Sequence, residues 1–341
     1  MLHLSITDNK IKRLEGFLMM YAELKTVDLS RNEITHLAKY QFVTSERLQS
    51  FNISRNFILS LKAKTFQGAK KLNTLDLSEN AVDSLVNGTF LGLISLIELR
   101  LNGNEITAIE SDAFKGLSSL RTLYLDGNKL ETLESRWLEP LQSLRFIYAS
   151  DNKIKTLQAD TFKPLTALKV ITMSHNDLEE NGIHPSAFRG CRSVDTIDMS
   201  HNKLTEVPAD ALSQLVQLHE LDLSGNPMKT LHSNSFKNMH VLWVLKLNRM
   251  SSLTRIEGGT FRDNLKLQEL WLEDNENLEP LPWGSFATNG MIETLSYRNN
   301  PWPTLSPLQI PMQSLRNLYI GGLPLNCNCS IGNKKPFKYG K

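Results

Sequence analysis

Neither sign of charge dominates this sequence of 341 residues: 38 Lys and Arg against 36 Asp and Glu leave a formal net charge of +2, with both signs interspersed. That excludes the broad basic footprint of a nucleic-acid-binding protein or of a segment drawn to an anionic membrane surface. Long hydrophobic runs are missing too. None approaches the roughly 20 residues needed to cross a bilayer, and the short apolar segment Phe17–Ala22 lies inside a repeated pattern. There is neither a charged-then-apolar leader nor a stop-transfer segment, so the sequence does not itself declare a compartment. Cysteine is scarce, at 3 residues, and the three sit in different contexts. Catalytic sets are missing as well. No nucleophile, acid–base pair or metal set recurs at workable geometry, and the chain reads as a non-enzyme without a cofactor.

What is present is one line copied along the chain. In LIELRLNGNEITAIESDAFKGLSSL, from Leu96 to Leu120, the fixed points are Leu96, Leu99, Leu101, Asn104, Ile106, Ile109, Phe114 and Leu117. Leu24, Leu48, Leu72, Leu96, Leu120, Leu144 and Leu168 each open a copy, 24 residues apart. Such a period marks a solenoid whose units contact only their neighbours, so counting domains by length fails. Within a copy, Leu123 and Leu125 point inward and Tyr124 outward, the alternation of a short strand with one buried face. Stacked, these strands make a parallel sheet.

Asn32, Asn56, Asn80, Asn104, Asn128, Asn152, Asn176, Asn202 and Asn226 recur where the chain must turn out of the strand. A buried amide there satisfies backbone groups of the turn and of the neighbouring unit. Phe42, Phe66, Phe90, Phe114, Phe162, Phe188, Phe236, Phe261 and Phe286 recur in the second half of the unit and fill the wedge behind the strand. Cys191 stands where another unit has Leu117 and reads as a small buried hydrophobe. Two units are irregular: the one from Leu168 is stretched to 26 residues by ENGIHP, and the one from Leu242 carries Met250 in place of the ladder asparagine. Residues 1–314 form the array and 315–341 the last repeat with an incomplete cysteine-bearing cap and a basic tail. The pattern is already under way at Met1, so an upstream continuation is expected.

These features resemble the typical class of extracellular leucine-rich repeats, over essentially the whole chain. The resemblance implies an α/β repeat fold, a leucine-rich-repeat solenoid curved into a horseshoe, with a parallel β-sheet on the concave face and an irregular or short helical convex side. The ending PLNCNC resembles the start of the cysteine-rich C-terminal cap of such proteins, in which Cys327 and Cys329 would each pair with a cysteine further downstream. As zinc ligands the two lack a second pair of cysteines or histidines. The run NPMKTLHSNSFKNMHVLWVLKLNRMSSLTRIEGGTF, followed by LWLEDNENLEPLPWGSF, resembles the Tartan/Capricious group and the neuronal leucine-rich-repeat proteins. That resemblance implies the ectodomain of a cell-surface recognition or adhesion protein, tied to a membrane only through a segment outside this sequence. A Toll-type receptor ectodomain and a secreted matrix or carrier protein use the same repeat and stay open as alternatives. Sequons at Asn52, Asn87 and Asn328 agree with an extracellular glycoprotein.

A protein partner, another molecule or a second copy, would meet the outward strand positions, which stack about 5 Å apart. Two aromatic clusters stand there. Arg100, Tyr124, Phe146 and Tyr148 form the first, and Lys246 with Trp271, near Ser296 and Tyr319, the second. Exposed aromatics beside cations are what binding hot spots are made of, and the same residues also suit a solvated sheet because they favour strands. Asp198, Glu220 and Asp222 offer an acidic surface to a basic partner patch. His175 and His201 precede ladder asparagines and are either a shared metal or pH-sensitive pair or a variable rim.

Overall fold

The structure is a computed structural model and describes residues 2–14 and 16–326. The chain forms two compact units, Met1–Ile197 and Asp198–Lys341.

In the first unit the strands are short because each copy must leave the sheet at its asparagine. Leu2–Ser5, Leu24–Asp28, Ser50–Asn52, Thr74–Asp76, Glu98–Arg100, Thr122–Tyr124, Phe146–Tyr148 and Val170–Thr172 follow one another in parallel. Register advances by one repeat per strand, so Leu99, Leu123, Ile147 and Ile171 form one inward row. All four are fully buried, while the residues on either side of each are half-buried on the open face. This is the parallel β-solenoid that the period predicts.

The asparagines do what their position requires. Asn104 donates through Nδ2 to its own Leu101 carbonyl at 3.0 Å and to the Leu77 carbonyl of the preceding copy at 3.0 Å, and its Oδ1 accepts from the Val82 N–H at 3.0 Å. The residue just before each asparagine is left-handed: Arg31, Arg55, Glu79, Gly103, Gly127, Asp151 and His175 have φ between 51° and 67°. Left-handed backbone costs a non-glycine residue about 1–2 kcal/mol, and the ladder's buried hydrogen bonds offset it. Some of these positions also pair across copies, as in Arg31 with Asp8 and Arg55 with Glu79 at 2.9 Å.

Behind the sheet, Phe66, Phe90 and Phe114 stack with ring centroids 5.8 Å apart. The copy opening at Leu120 lacks the phenylalanine. There a short helix, Ser135–Leu138, delivers Trp137 edge-on to Phe114 at 5.6 Å. Each fully buried side chain of this size contributes roughly 1.5–3 kcal/mol. Secondary parallel pairs, Ser84–Leu85 with Ala108–Ile109 and Thr132–Leu133 with Thr156–Leu157, were not evident from the sequence pattern. The ENGIHP insertion forms a 3-10 turn at Glu180–Gly182. Its Gly182 is obligatory, since a Cβ there would lie 2.3 Å from the Lys155 carbonyl oxygen. Cys191 is buried, its thiol reaches the Phe162 carbonyl at 3.4 Å, and burial pushes its pKa up to about 12, so it behaves as a hydrophobe and not as a nucleophile.

In the second unit, Glu220–Asp222, Val244–Lys246, Glu269–Trp271, Thr294–Ser296 and Asn317–Tyr319 pair in the same way. Phe236, Phe261 and Phe286 stack at 6.0 and 5.7 Å, and a short helix, Ala209–Leu212, replaces the aromatic in a copy that has none. Met250 is buried at its ladder place, and its N–H is taken up by Asn275 Oδ1 at 2.8 Å. A second, shorter ladder occurs only as a pair: Asn264 and Asn289, at the place of Leu117 and Cys191, donate to the Phe236 and Phe261 carbonyls. The last described turns are locked by polar-tipped aromatics. Tyr297 and Trp302 are fully buried with ring centroids 4.6 Å apart, Tyr297 donating to the Gln309 carbonyl and Trp302 to the Leu278 carbonyl. Burial holds the Tyr297 phenol well above its ordinary pKa, so it stays a donor.

Candidate functional site

The open face of the first unit carries two rows, set by the first and third residue of each strand. The third-residue row brings Arg100 opposite Tyr124 and Tyr124 opposite Tyr148 in direct register. Tyr124 and Tyr148 stack with ring centroids 4.8 Å apart and planes 9° from parallel. That distance is the strand spacing itself, so the rings stand upright side by side. Arg100 lies over the outer face of Tyr124, its Cζ 4.9 Å from the ring centre, and donates through Nε to Glu98 Oε1 at 2.6 Å. The result is a continuous stack in which a cation caps two aromatics.

Charge states follow from the same contacts. Burial works against the Arg100 charge, but the hydrogen bond and charge of Glu98 outweigh it and hold the guanidinium above its usual pKa. Burial, then the charge of Glu98, raises the Tyr124 phenol. At neutral pH the stack therefore offers a fixed positive group and a protonated phenol on half-exposed residues. Phe146, expected in the same cluster, lies outside the ring stack. It stands in the first-residue row, in register with Thr122 and Val170.

The second unit rearranges its cluster. Trp271, Ser296 and Tyr319 are in register on successive strands. Rings two strands apart would be separated by about 9–10 Å if upright, yet Trp271 and Tyr319 stack at 6.0 Å. They lean together over Ser296, which is fully buried although the alternation places it outward; its hydroxyl donates to Glu273. Trp271 donates to Glu269 Oε2 at 3.1 Å, and Arg298 lies over Tyr319 at 5.7 Å. Lys246 is in register beside Trp271, as expected, and its ammonium lies on Glu220 Oε1 at 2.5 Å. A hydrogen-bonded carboxylate holds an ammonium more strongly than an aromatic face does. Glu98, which positions Arg100, was not singled out from sequence, its place two residues before a cation being the available signal; Glu220, expected as part of an acidic surface for a partner, is instead engaged by Lys246.

The histidine places are explained by the backbone. His201, like His175, is a left-handed turn residue, and its ring lies across Gly225, where a Cβ would fall 2.4 Å from Nδ1. Among the described residues no group of three or more His, Cys, Asp or Glu is placed to hold a metal ion. No described helix is long and apolar enough to cross a membrane. Asn52 is half-buried at a strand end, its Oδ1 accepting from Ser54 N–H at 2.9 Å; Asn87 is exposed, its Oδ1 accepting from Asp112 N–H at 2.8 Å. Asn328, Cys327 and Cys329 lie outside the described residues.

A family profile described as "Leucine rich repeat" matches residues 46–106, 94–154 and 179–228. Mouse podocan is 26% identical over 211 residues, covering 47% of this chain and 34% of podocan. Among solved structures, a TLR13–ssRNA13 complex superposes with a TM-score of 0.69 at 23% identity, over 92% of this chain and 52% of that one. A Drosophila Toll–Spatzle complex superposes with a TM-score of 0.75 at 20% identity, over 91% and 43%. The chain spans about a third of podocan's length and about half of each receptor chain.

Proposed function

We propose, from the premise that the chain is a leucine-rich-repeat solenoid, that it is an extracellular recognition module of a cell-surface adhesion or recognition protein. Its partner is another protein and docks on the open sheet face of the first unit. One observation carries this reading: the Arg100–Tyr124–Tyr148 stack is ordered in register yet leaves both tyrosines half-exposed, at a strand position where the fold asks only for a solvated residue. Rigid aromatics beside a fixed cation bury large area at low entropic cost. The likeness to podocan and to Toll, one in a complex with Spatzle, supports a protein partner in an extracellular setting.

The sequons fit that setting. Asn87 presents an exposed amide whose oxygen is engaged and whose nitrogen is available for a glycan, while its partner Thr89 is buried and donates to the Val86 carbonyl. A glycan on Asn52 would stand on the sheet face and confine a large partner to the strands beyond it. Mass spectrometry of the secreted chain tests both sites, with occupancy at Asn87 expected.

The functional test is bead aggregation followed by a binding screen against cell-surface proteins. Self-clumping of coated beads means homophilic adhesion; no clumping sends the search to a second molecule. In either case Tyr124→Ala with Tyr148→Ala is expected to abolish capture. Unchanged capture by a folded variant moves the site elsewhere. The Toll-type and secreted-matrix alternatives are separated by whether the full-length chain carries a membrane span and signalling domain.

A further inference from the structure

Immediately before the strands Thr122–Tyr124, Phe146–Tyr148 and Val170–Thr172 stand Arg121, Arg145 and Lys169, all exposed. They are neighbours in register: Arg145 N–H donates to the Arg121 carbonyl at 2.9 Å and Lys169 N–H to the Arg145 carbonyl at 2.8 Å. Three like charges on adjacent strands repel, and such pairs destabilise a sheet. Elsewhere in this unit several cross-copy neighbours are of opposite sign and pair, as in Arg55 with Glu79, Lys129 with Glu105, Lys155 with Glu131 and Arg189 with Asp160. The three cations take part in no ion pair, side-chain hydrogen bond or ring contact among the described residues. Asp195, next in the row, engages its own neighbour Thr196 at 3.0 Å.

Beside this basic row runs a half-buried apolar one, Thr122, Phe146 and Val170, and beside that the tyrosine stack. A bare cationic row against an apolar row is complementary to a ligand with carboxylates along one edge and apolar side chains along the other. Resting on the reading of the tyrosine face as the docking site, we propose that its protein partner presents an acidic segment. The carboxylates lie along Arg121, Arg145 and Lys169, and apolar side chains cover Phe146 and Val170. A sulfated saccharide supplies the charge but has nothing to cover the apolar row; a nucleic acid, whose bases stack on aromatic rings, is the competing ligand that the RNA probe tests.

The probes are fluorescent synthetic peptides alternating glutamate with valine, the same peptides with glutamine for glutamate, a heparin oligosaccharide and a single-stranded RNA oligonucleotide. Each is titrated against the whole chain by anisotropy at low and raised salt. The glutamate peptide is expected to bind best and to weaken with salt, with the R121Q/R145Q/K169Q variant losing about tenfold or more. All three positions are exposed and the variant removes their mutual repulsion, so it is expected to melt at or slightly above the parent temperature. Tyr148→Ala separates the two readings. If the triple variant loses the peptide and Tyr148→Ala does not, the acidic edge stands and the tyrosine face falls; if only Tyr148→Ala loses it, the acidic edge is overturned. Equal binding of the glutamine peptide, tighter binding of heparin or RNA, or no binding of the glutamate peptide likewise overturns it.

Discussion

In the first unit Tyr124 and Tyr148 occupy adjacent strands and stack at the strand spacing, whereas in the second Trp271 and Tyr319 reach toward each other across the strand between them. The residue classes are the same, and so are the strand positions. What differs is the neighbour. With no small residue between them, the tyrosines stand upright against each other and stay half-exposed. Ser296 leaves a gap that the indole and phenol close, and the closed pair buries it completely. The cations part in the same way: Lys246 is neutralised by Glu220, while Arg121, Arg145 and Lys169 have no ion-pair partner among the described residues. One pair is therefore read as a surface kept for a partner and the other as a surface the chain covers by itself.

The largest expected effect follows from the first pair. Replacing Tyr124 and Tyr148 together by alanine should weaken partner binding by about 2–4 kcal/mol, the range of paired interface hot spots. Thermal melting of the same variant should show a loss of only about 0.5–1.5 kcal/mol, the worth of one aromatic pair. The second pair should behave in reverse. Trp271→Ala uncovers Ser296 and removes the indole hydrogen bond to Glu269, so it should cost about 1–3 kcal/mol in denaturant melts and leave partner binding unchanged. Variants that lose binding through Trp271 and stability through Tyr148 would invert the comparison.

Much of this was legible in the residues. The 24-residue period, the inward row, the asparagine ladder and the phenylalanine stack all follow from positions that most copies repeat, and the structure places them as the pattern requires. Where a copy breaks the pattern, sequence alone stopped short. Trp137 takes the phenylalanine place only because a helical turn carries it there, and Asn264 and Asn289 form their own short ladder behind the sheet. The alternation assigned Ser296 and Lys246 to the open face, which is true of their backbone. It says nothing of which way a long neighbour leans, and that lean buried one and redirected the other. Gly103 and His175 look unrelated as letters, yet both answer the same left-handed turn.

The smallest expected effect is the most direct test of whether Lys246 belongs to the chain's own electrostatics and Arg145 does not. Asp222 is held above the usual carboxylate pKa, chiefly by burial and further by Asp198, against the Ser224 hydrogen bonds and the Lys246 charge that lower it. Asp126 in the first unit is raised chiefly by burial and further by the Asp151 charge, against backbone hydrogen bonds from Ser150 and itself. A carboxyl raised in the folded state binds its proton more tightly there than in the unfolded chain. Stability therefore rises as pH falls from the folded pKa toward the unfolded value of 3.8 and declines again as pH climbs through that window. Lys246→Gln should lift Asp222 further and extend the window upward, whereas Arg145→Gln should move neither Asp222 nor Asp126. Carboxyl NMR titrations, with melts at matched pH, read both. A shift of Asp126 on losing Arg145 would show that the basic row is already answered from within the chain, and an Asp222 indifferent to Lys246 would show that burial alone sets its proton affinity.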